Sequence, residues 1–359
     1  MRRLLVLLAG AALVLGTASP VAADEHIEFI GEVIFETGYE FDDTEVGGLS
    51  GIAWDEAAGV YYILSDDAST INDARFYTAA IDASDGSFDD GDVVFLDVTT
   101  LLDEDGVAYA SGSLDPESLA LSDDGTLYVV SEGFANSLVP QFVNEYSLGG
   151  ALLDELTVPP SYLPTADQST GIRNNLAFES ATVSPNGRTL TVANEAALYQ
   201  DGPAASVTEG SPARILQYNT VTGRPSAAYV YEVGPIPDEP IPPDAFAVNG
   251  LVDLLALDDR GNFLAMERGF SVGVGNSVSL YHVSLQGATD VFRSDIAGAT
   301  PVSKSLVLDL ADLGITLDNL EGIAMGPVMD DGRTPLFIVS DNNFNPGQFT
   351  QFLAFALDI

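Results

Sequence analysis

The sequence predicts an all-β fold, a β-propeller of four-stranded blades. Three observations carry this expectation. One strand–turn–strand unit recurs five times along the chain. Two further strand-like runs follow the unit in nearly every copy. No long stretch carries the apolar period of a helix, and Gly, Asp, Asn and Pro punctuate the runs.

The unit is an apolar strand, a turn with Asp and Gly, a second apolar strand, then a small or polar residue and a carboxylate. Its copies run from Ser50-Gly51-Ile52-Ala53 to Ser65-Asp66 and from Glu117-Ser118-Leu119-Ala120 to Ser131-Glu132. The third runs from Glu179-Ser180-Ala181-Thr182 to Asn194-Glu195. The fourth runs from Asp253-Leu254-Leu255-Ala256 to Glu267-Arg268, and the fifth from Glu321-Gly322-Ile323-Ala324 to Ser340-Asp341. Aligned on Ala53, Ala120, Thr182, Ala256 and Ala324, the copies are spaced by 67, 62, 74 and 68 residues. The fifth unit is followed by only one further run, Gln351–Leu357, while Ile27–Glu36 stands unassigned at the other end. The N-terminal strand is therefore expected to complete the last sheet. Five blades are predicted. Six stay open, because the repeat exceeds the ~40–50 residues of familiar blades. The surplus lies in Pro159–Asn175, Ala197–Pro212, Gly234–Asn249 and Gly287–Pro301.

Arg2-Arg3, the apolar run Leu4–Leu15 and the small residues ending in Ala22-Ala23 form an export leader, with cleavage expected after Ala23. Residues 24–359 are then read as one domain, secreted, with no membrane anchor after cleavage. With no Cys, neither a disulfide nor a lipid-modified cysteine enters. The chain of 359 residues carries 12 Lys+Arg against 54 Asp+Glu, a net charge of −42, and Lys304 is its one lysine. Such a surface repels nucleic acid and anionic membrane. Part of the acidity is a solvated surface, and part is expected to bind a hard cation.

Placing the repeat on a propeller gives that cation a position. The inner strand of each blade lines the channel and the second strand runs back beside it. Strand starts (Ser50, Glu117, Glu179, Asp253, Glu321) and strand ends (Asp66, Glu132, Glu195, Arg268, Asp341) therefore meet at one mouth. Eight carboxylates there repel one another unless a cation is bound, and Ca²⁺ suits an all-oxygen set. The alternative is that each carboxylate caps backbone groups between blades. Two histidines, His26 and His282, and no Cys leave little for a serine triad or a zinc site. The acidic turns Asp82–Asp92 and Asp103–Gly106 lack EF-hand spacing and read as solvated turns.

Several segments together resemble the phytase-like family ("esterase-like activity of phytase"). They are Gly47-Gly48-Leu49-Ser50-Gly51-Ile52, Tyr61–Asp67, Ala74-Arg75-Phe76-Tyr77, Asp115-Pro116-Glu117, and Ser131-Glu132-Gly133. Gly171–Glu179, Gln200-Asp201-Gly202, Asp318–Gly322 and Ser340–Pro346 extend the match over nearly all of residues 24–359. The resemblance implies a secreted propeller hydrolase of the phosphate-ester group, dependent on Ca²⁺. The true β-propeller phytases surround the substrate phosphates with several lysines, and the single lysine here argues against phytate itself. The expected function is a Ca²⁺-dependent esterase acting on a small-molecule ester, with phosphoesters favoured and a monomer expected. Ca²⁺ would be held by Glu117, Glu179, Asp253 and Glu321, with Asp66. Glu132, Glu195 or Asp341 would take the proton, and Arg173 and Arg268 would orient the anion. The alternatives are a lactonase or carboxyl esterase on the same scaffold, and a non-catalytic binding propeller whose Ca²⁺ is structural.

Overall fold

In four of the five sheets the second strand is an unbroken apolar run, such as Tyr61–Leu64, Leu127–Val130 or Leu336–Val339, with each residue buried, and in blade 3 a buried Thr191 interrupts the run Leu190–Ala193. Strands covered on both faces read this way, because neither set of alternate side chains meets water. Here one set packs on the preceding blade and the other on the next. Tyr61 and Ile63 join a core shared with Phe337 and Phe352, whereas Tyr62 and Leu64 join a core shared with Leu119 and Val129.

The computed structural model describes residues 27–358. The leader expected over residues 1–23, the mature start and His26 lie outside the described residues. The chain forms five four-stranded antiparallel sheets, with a two-stranded ribbon between the first strand and blade 1. The inner strands are Leu49–Asp55, Pro116–Leu121, Phe178–Val183, Ala247–Ala256 and Asn319–Met325 in blades 1 to 5. Five apolar cores fill the five junctions between neighbouring blades, the one between blades 5 and 1 closing the ring. The propeller is five-bladed, and the six-bladed option falls. The long repeat is explained by loops, of which 159–175, 197–212 and 234–249 rise on the face where inner strands begin. Segment 287–301 lies at the opposite face, where Val291 and Val302 donate to the carbonyls of Ala228 and Val230 on blade 3.

Ring closure is as the repeat count required. Ile27–Glu36 pairs antiparallel with Phe349–Leu357, the third strand of blade 5. The first and last parts of the fold are thus held in one sheet.

Every inner strand carries a β-bulge at the same level. The extra residue is Ser50, Glu117, Glu179, Val252 and Glu321 in blades 1 to 5. A bulge inserts one residue against none on the partner strand and re-aims its side chain. The bulges also correct the alignment of the repeats. In blade 4 the residue matching Glu117, Glu179 and Glu321 is Val252, not Asp253. Asp253 takes the position after the bulge, which Ser118 holds in blade 2. Both do the same work: Ser118 Oγ accepts from Ala181 N of the next blade at 3.1 Å, and Asp253 Oδ2 accepts from Ile323 N at 2.8 Å.

Blade 4 differs in length. Its first three strands, Ala247–Ala256, Asn262–Ser271 and Gly275–Ser284, each have ten residues. Its second strand continues three residues past Arg268 to Ser271, while those of blades 1 to 3 stop short of the corresponding residue. At ~3.3 Å per residue this raises a wall about 10 Å above the mouth.

Phe352 is fully buried in the core between blades 5 and 1. Phe352→Ala is expected to cost roughly 3–5 kcal/mol. Urea unfolding should show a lower midpoint with an unchanged slope. A loss under 1 kcal/mol would show that the closing junction does not hold the ring.

Candidate functional site

The acidic mouth opens into a cavity of about 1080 Å³ whose floor is made by Asp66, Glu117, Glu179, Glu195, Glu321 and Asp341 together with Asp115 and Arg268. Glu117, Glu179 and Glu321 are there because they are the bulged residues of their inner strands. Asp66, Glu195, Arg268 and Asp341 are there because each stands where the second strand returns to the mouth. Glu132 stands at the same level, with Oε2 accepting from Ala177 N at 3.0 Å. Seven of the eight carboxylates expected from the repeat thus converge.

Two predicted residues do not join them. Asp253 spends Oδ1 on Leu254 N at 2.8 Å and Oδ2 on blade 5, so it ties two blades together and does not line the cavity. Arg173 donates through Nε to Ala197 O at 2.9 Å and through Nη2 to Gly202 O at 2.6 Å. Its guanidinium stacks 4.2 Å from the Tyr199 ring, and it too is outside the cavity lining. A long side chain with backbone carbonyls in reach has been used to fasten a loop.

Two further residues, which the repeat pattern does not single out, join the site. Asp115 lies two before Glu117, just ahead of the inner strand of blade 2, and lines the same cavity. Asp115, Glu117 and Glu132 each place a carboxylate oxygen within 4.8 Å of the others. Asn319, two before Glu321, donates to Glu321 Oε1 at 2.8 Å and Asp341 Oδ2 at 3.1 Å. Period-two pairing of polar residues at a strand start was the available signal for both.

Glycines make the remaining room. Gly48, with φ +62°, lies under Asp66: a β-carbon there would sit 1.8 Å from Asp66 Oδ1. Gly250 lies under Glu195, whose Oε1 would be 2.3 Å from such a carbon. Only glycine permits these approaches.

The electrostatics follow from burial and crowding. Burial, with Glu321 beside it, pushes Asp341 up to about 8. Burial raises Asp115 to about 7, and raises Glu195 to about 7 against the opposing pull of Arg268. Asp66, Glu117, Glu132 and Glu179 are raised well above the ordinary carboxylate range, by burial first and then by neighbouring carboxylates, in Glu132 against the opposing hydrogen bond from Ala177 N. Burial disfavours the Arg268 cation, but Glu321, Glu195 and Glu179 outweigh it and keep it charged. Its Nη2 donates to Glu321 Oε1 at 2.7 Å, and its Nη1 lies 4.0 Å from Glu195 Oε1.

One guanidinium does not neutralise eight carboxylates. Glu195 Oε1 is buried and accepts no hydrogen bond, which leaves an acceptor unfilled. Three oxygens within 4.8 Å are close enough for one ion at about 2.3–2.6 Å from each. The donors are all hard oxygens, so the residues fit a divalent cation such as Ca²⁺, with Asp115, Glu117 and Glu132 as its holders.

Other chemistries do not fit. Gly269-Phe270-Ser271-Val272-Gly273 spells the G-x-S-x-G of a nucleophile elbow, but Ser271 ends a strand that turns into a hairpin rather than a helix. Ser271 is buried and its Oγ donates to Asp238 O at 2.6 Å. Lys304 is committed elsewhere, to Glu267 Oε1 at 2.5 Å and Glu232 O at 2.8 Å. The acidic turns are self-capped, Asp103 Oδ1 accepting from Asp105 N and Val107 N.

Fold and mouth together define a five-bladed propeller with a buried acidic centre. The chain belongs to the Phytase-like family, described as "Esterase-like activity of phytase", whose model matches residues 44–344. An "Uncharacterized secreted protein" of Arthroderma benhamiae is 26% identical over 260 residues, covering 65% of this chain and 47% of that protein. The chain therefore spans about half the length of this curated relative. Among solved structures, the Dos1 propeller is similar with TM-score 0.36 and 7% identity, covering 86% of this chain and 68% of that one. A Staphylococcus aureus phage tail fibre is similar with TM-score 0.42 and 10% identity, covering 94% and 53%. No helix among the described residues is long and apolar enough to cross a membrane.

The raised carboxylates fix the sign of a pH effect. The native state holds protons that the unfolded chain has released, so with chelator present the ring favours folding below about pH 4. That contribution is lost as pH rises through about 7 to 8, where Asp115, Glu195 and Asp341 ionise. Asp341→Asn should accordingly raise Tm at pH 8.5 more than at pH 5. A gain equal at both pH values, read by calorimetry, would contradict the buried-charge account.

Proposed function

We propose that this chain is a secreted, divalent-cation-dependent ester hydrolase, with Ca²⁺ the expected ion and phosphoesters the favoured class. The observation that carries this is the convergence of buried, mutually raised carboxylates with one charged guanidinium on a cavity large enough for a small ester. Membership of the phytase-like family supports esterase-type chemistry. The name of the fungal relative supports export, which agrees with the leader over residues 1–23.

Asp115, Glu117 and Glu132 would hold the ion, with Glu179 beside them. Bound there, Ca²⁺ supplies positive charge against the charge that develops on the ester oxygens. Arg268 orients the substrate through Nη1, which makes no hydrogen bond within the protein, while Glu321 and Asn319 fix the guanidinium and its neighbours. Glu195 is the favoured base. Its Oε1 is unpartnered, it lines the cavity, and its affinity for a proton is set near neutrality, as a base working at neutral pH requires. Asp341 is less suited, because it accepts from both Asn343 N and Asn319 Nδ2.

The test is hydrolysis of 4-nitrophenyl phosphate, bis-4-nitrophenyl phosphate and 4-nitrophenyl acetate, with Ca²⁺ and with chelator. Ca²⁺-dependent release from a phosphate ester is expected. Release from the acetate alone would favour a carboxyl esterase or lactonase, and Ca²⁺-dependent stabilisation without any release would favour a binding propeller. Glu179→Gln and Glu117→Gln should each abolish turnover while the fold persists; unchanged turnover in both would remove the mechanism. Gly250→Ala forces Glu195 aside and is expected to lower kcat by at least about tenfold, in line with loss of a positioned base. A normal kcat in that variant would transfer the role to another carboxylate.

A further inference from the structure

The cavity is two-sided, and the second side is apolar. Above the acidic floor stands the extra length of blade 4, whose residues Phe246, Val248 and Phe270 line the cavity with Leu317. Val248 pairs with Phe270 across the two strands, and Gly250 pairs with Arg268 two residues nearer the floor. Alternate residues of a strand share a face, so Phe270 lies two residues above Arg268, about 7 Å along the strand. The Phe246 and Phe270 rings are 6.3 Å apart. Phe246 is 64% exposed although its backbone is held, its carbonyl accepting from Val272 N at 3.0 Å. Phe246 and Phe270 together offer apolar surface at the cavity rim, and burying such surface against a partner is favourable. In blades 1 to 3 the second strands end before the ring residue, so those strands do not extend above the mouth.

We infer that the Phe246–Val248–Phe270 wall is a subsite for an apolar, planar group of the substrate. The substrate is then an aryl or similarly apolar ester, whose polar centre lies at Arg268 and Glu195 within about 7 Å of that group. This rests on the hydrolase proposal for the reacting centre, but the subsite itself is a statement about binding. The charges agree with it. A floor of carboxylates with one guanidinium accepts at most a singly anchored anion, so a polyol bearing many phosphates is a poor occupant. An aryl ester places its apolar area on the wall and one polar centre on the floor.

The experiment separates binding from turnover by using probes that cannot be cleaved. Two pairs share a head and differ in the apolar group: phenylphosphonate with methylphosphonate, and acetanilide with N-methylacetamide. Binding to the purified full chain in Ca²⁺ is read by calorimetry and by saturation-transfer NMR. The aryl member of a pair is expected to bind about tenfold tighter, as burial of one ring implies. Phe270→Ala and the surface variant Phe246→Ala should each reduce that preference at least threefold while leaving the methyl probes unchanged. Equal affinity of aryl and methyl members, an equal loss for both in the variants, or no binding of either aryl probe overturns the inference. An aryl preference that persists while no ester is turned over would sink the hydrolase proposal and leave the subsite standing.

Discussion

One additional residue in each inner strand organises this molecule. A propeller strand packed between two blades has both faces committed to apolar cores, and its side chains alternate between them. The bulge breaks that alternation once, at the same level in all five blades. Where the bulged residue is Glu117, Glu179 or Glu321, a carboxylate leaves the inter-blade core and enters the channel mouth. Where it is Val252, the side chain stays among the apolar residues between blades 4 and 5. The acidic centre is therefore lopsided, heaviest around blades 2, 3 and 5, with Arg268 occupying the blade 4 sector.

That lopsidedness gives the carboxylates different characters from the same residue types. Asp115, Glu117 and Glu132 crowd together, each with a carboxylate oxygen within 4.8 Å of the others. Glu195 and Glu321 flank Arg268, but Glu321 is hydrogen-bonded to it whereas Glu195 keeps a bare oxygen. The same residue types thus differ in charge environment and in hydrogen bonding within one mouth. The surrounding buried ion pairs, Asp67 with Arg75 and Asp201 with the fork of Arg214, are of another kind. Each is closed on itself and fastens a loop of the acidic face. They spend two of the chain's scarce cations on structure and leave Arg268 as the guanidinium on the cavity floor.

Fastening residues also lie within the range matched by the family model. Gly47 and Gly48 lie beneath Asp66 and the Phe344 ring. Arg173 ties its own loop to Ala197 and Gly202, and Asn342 accepts from Gly48 N across the closing junction. These positions hold the shape of the mouth.

Repeat spacing and apolar runs were enough to point to a propeller, the closing role of Ile27–Glu36 and the convergence of Asp66, Glu117, Glu132, Glu179, Glu195, Glu321 and Asp341, while the choice of five blades over six waited on the sheets themselves. Those features depend on period and chain order, which are visible in one dimension. The position of Asp253 was not, because a one-residue bulge shifts the register and the letters Val252-Asp253 fit either alignment. Nor was the idle role of Arg173 toward the cavity, since its carbonyl partners lie more than twenty residues away. Asp115 and the aromatic wall of blade 4 required the fold as well. Whether a carboxylate shares a cation or caps an amide, and whether a phenylalanine fills a core or rims a cavity, is decided by what the other blades bring within a few ångströms of it.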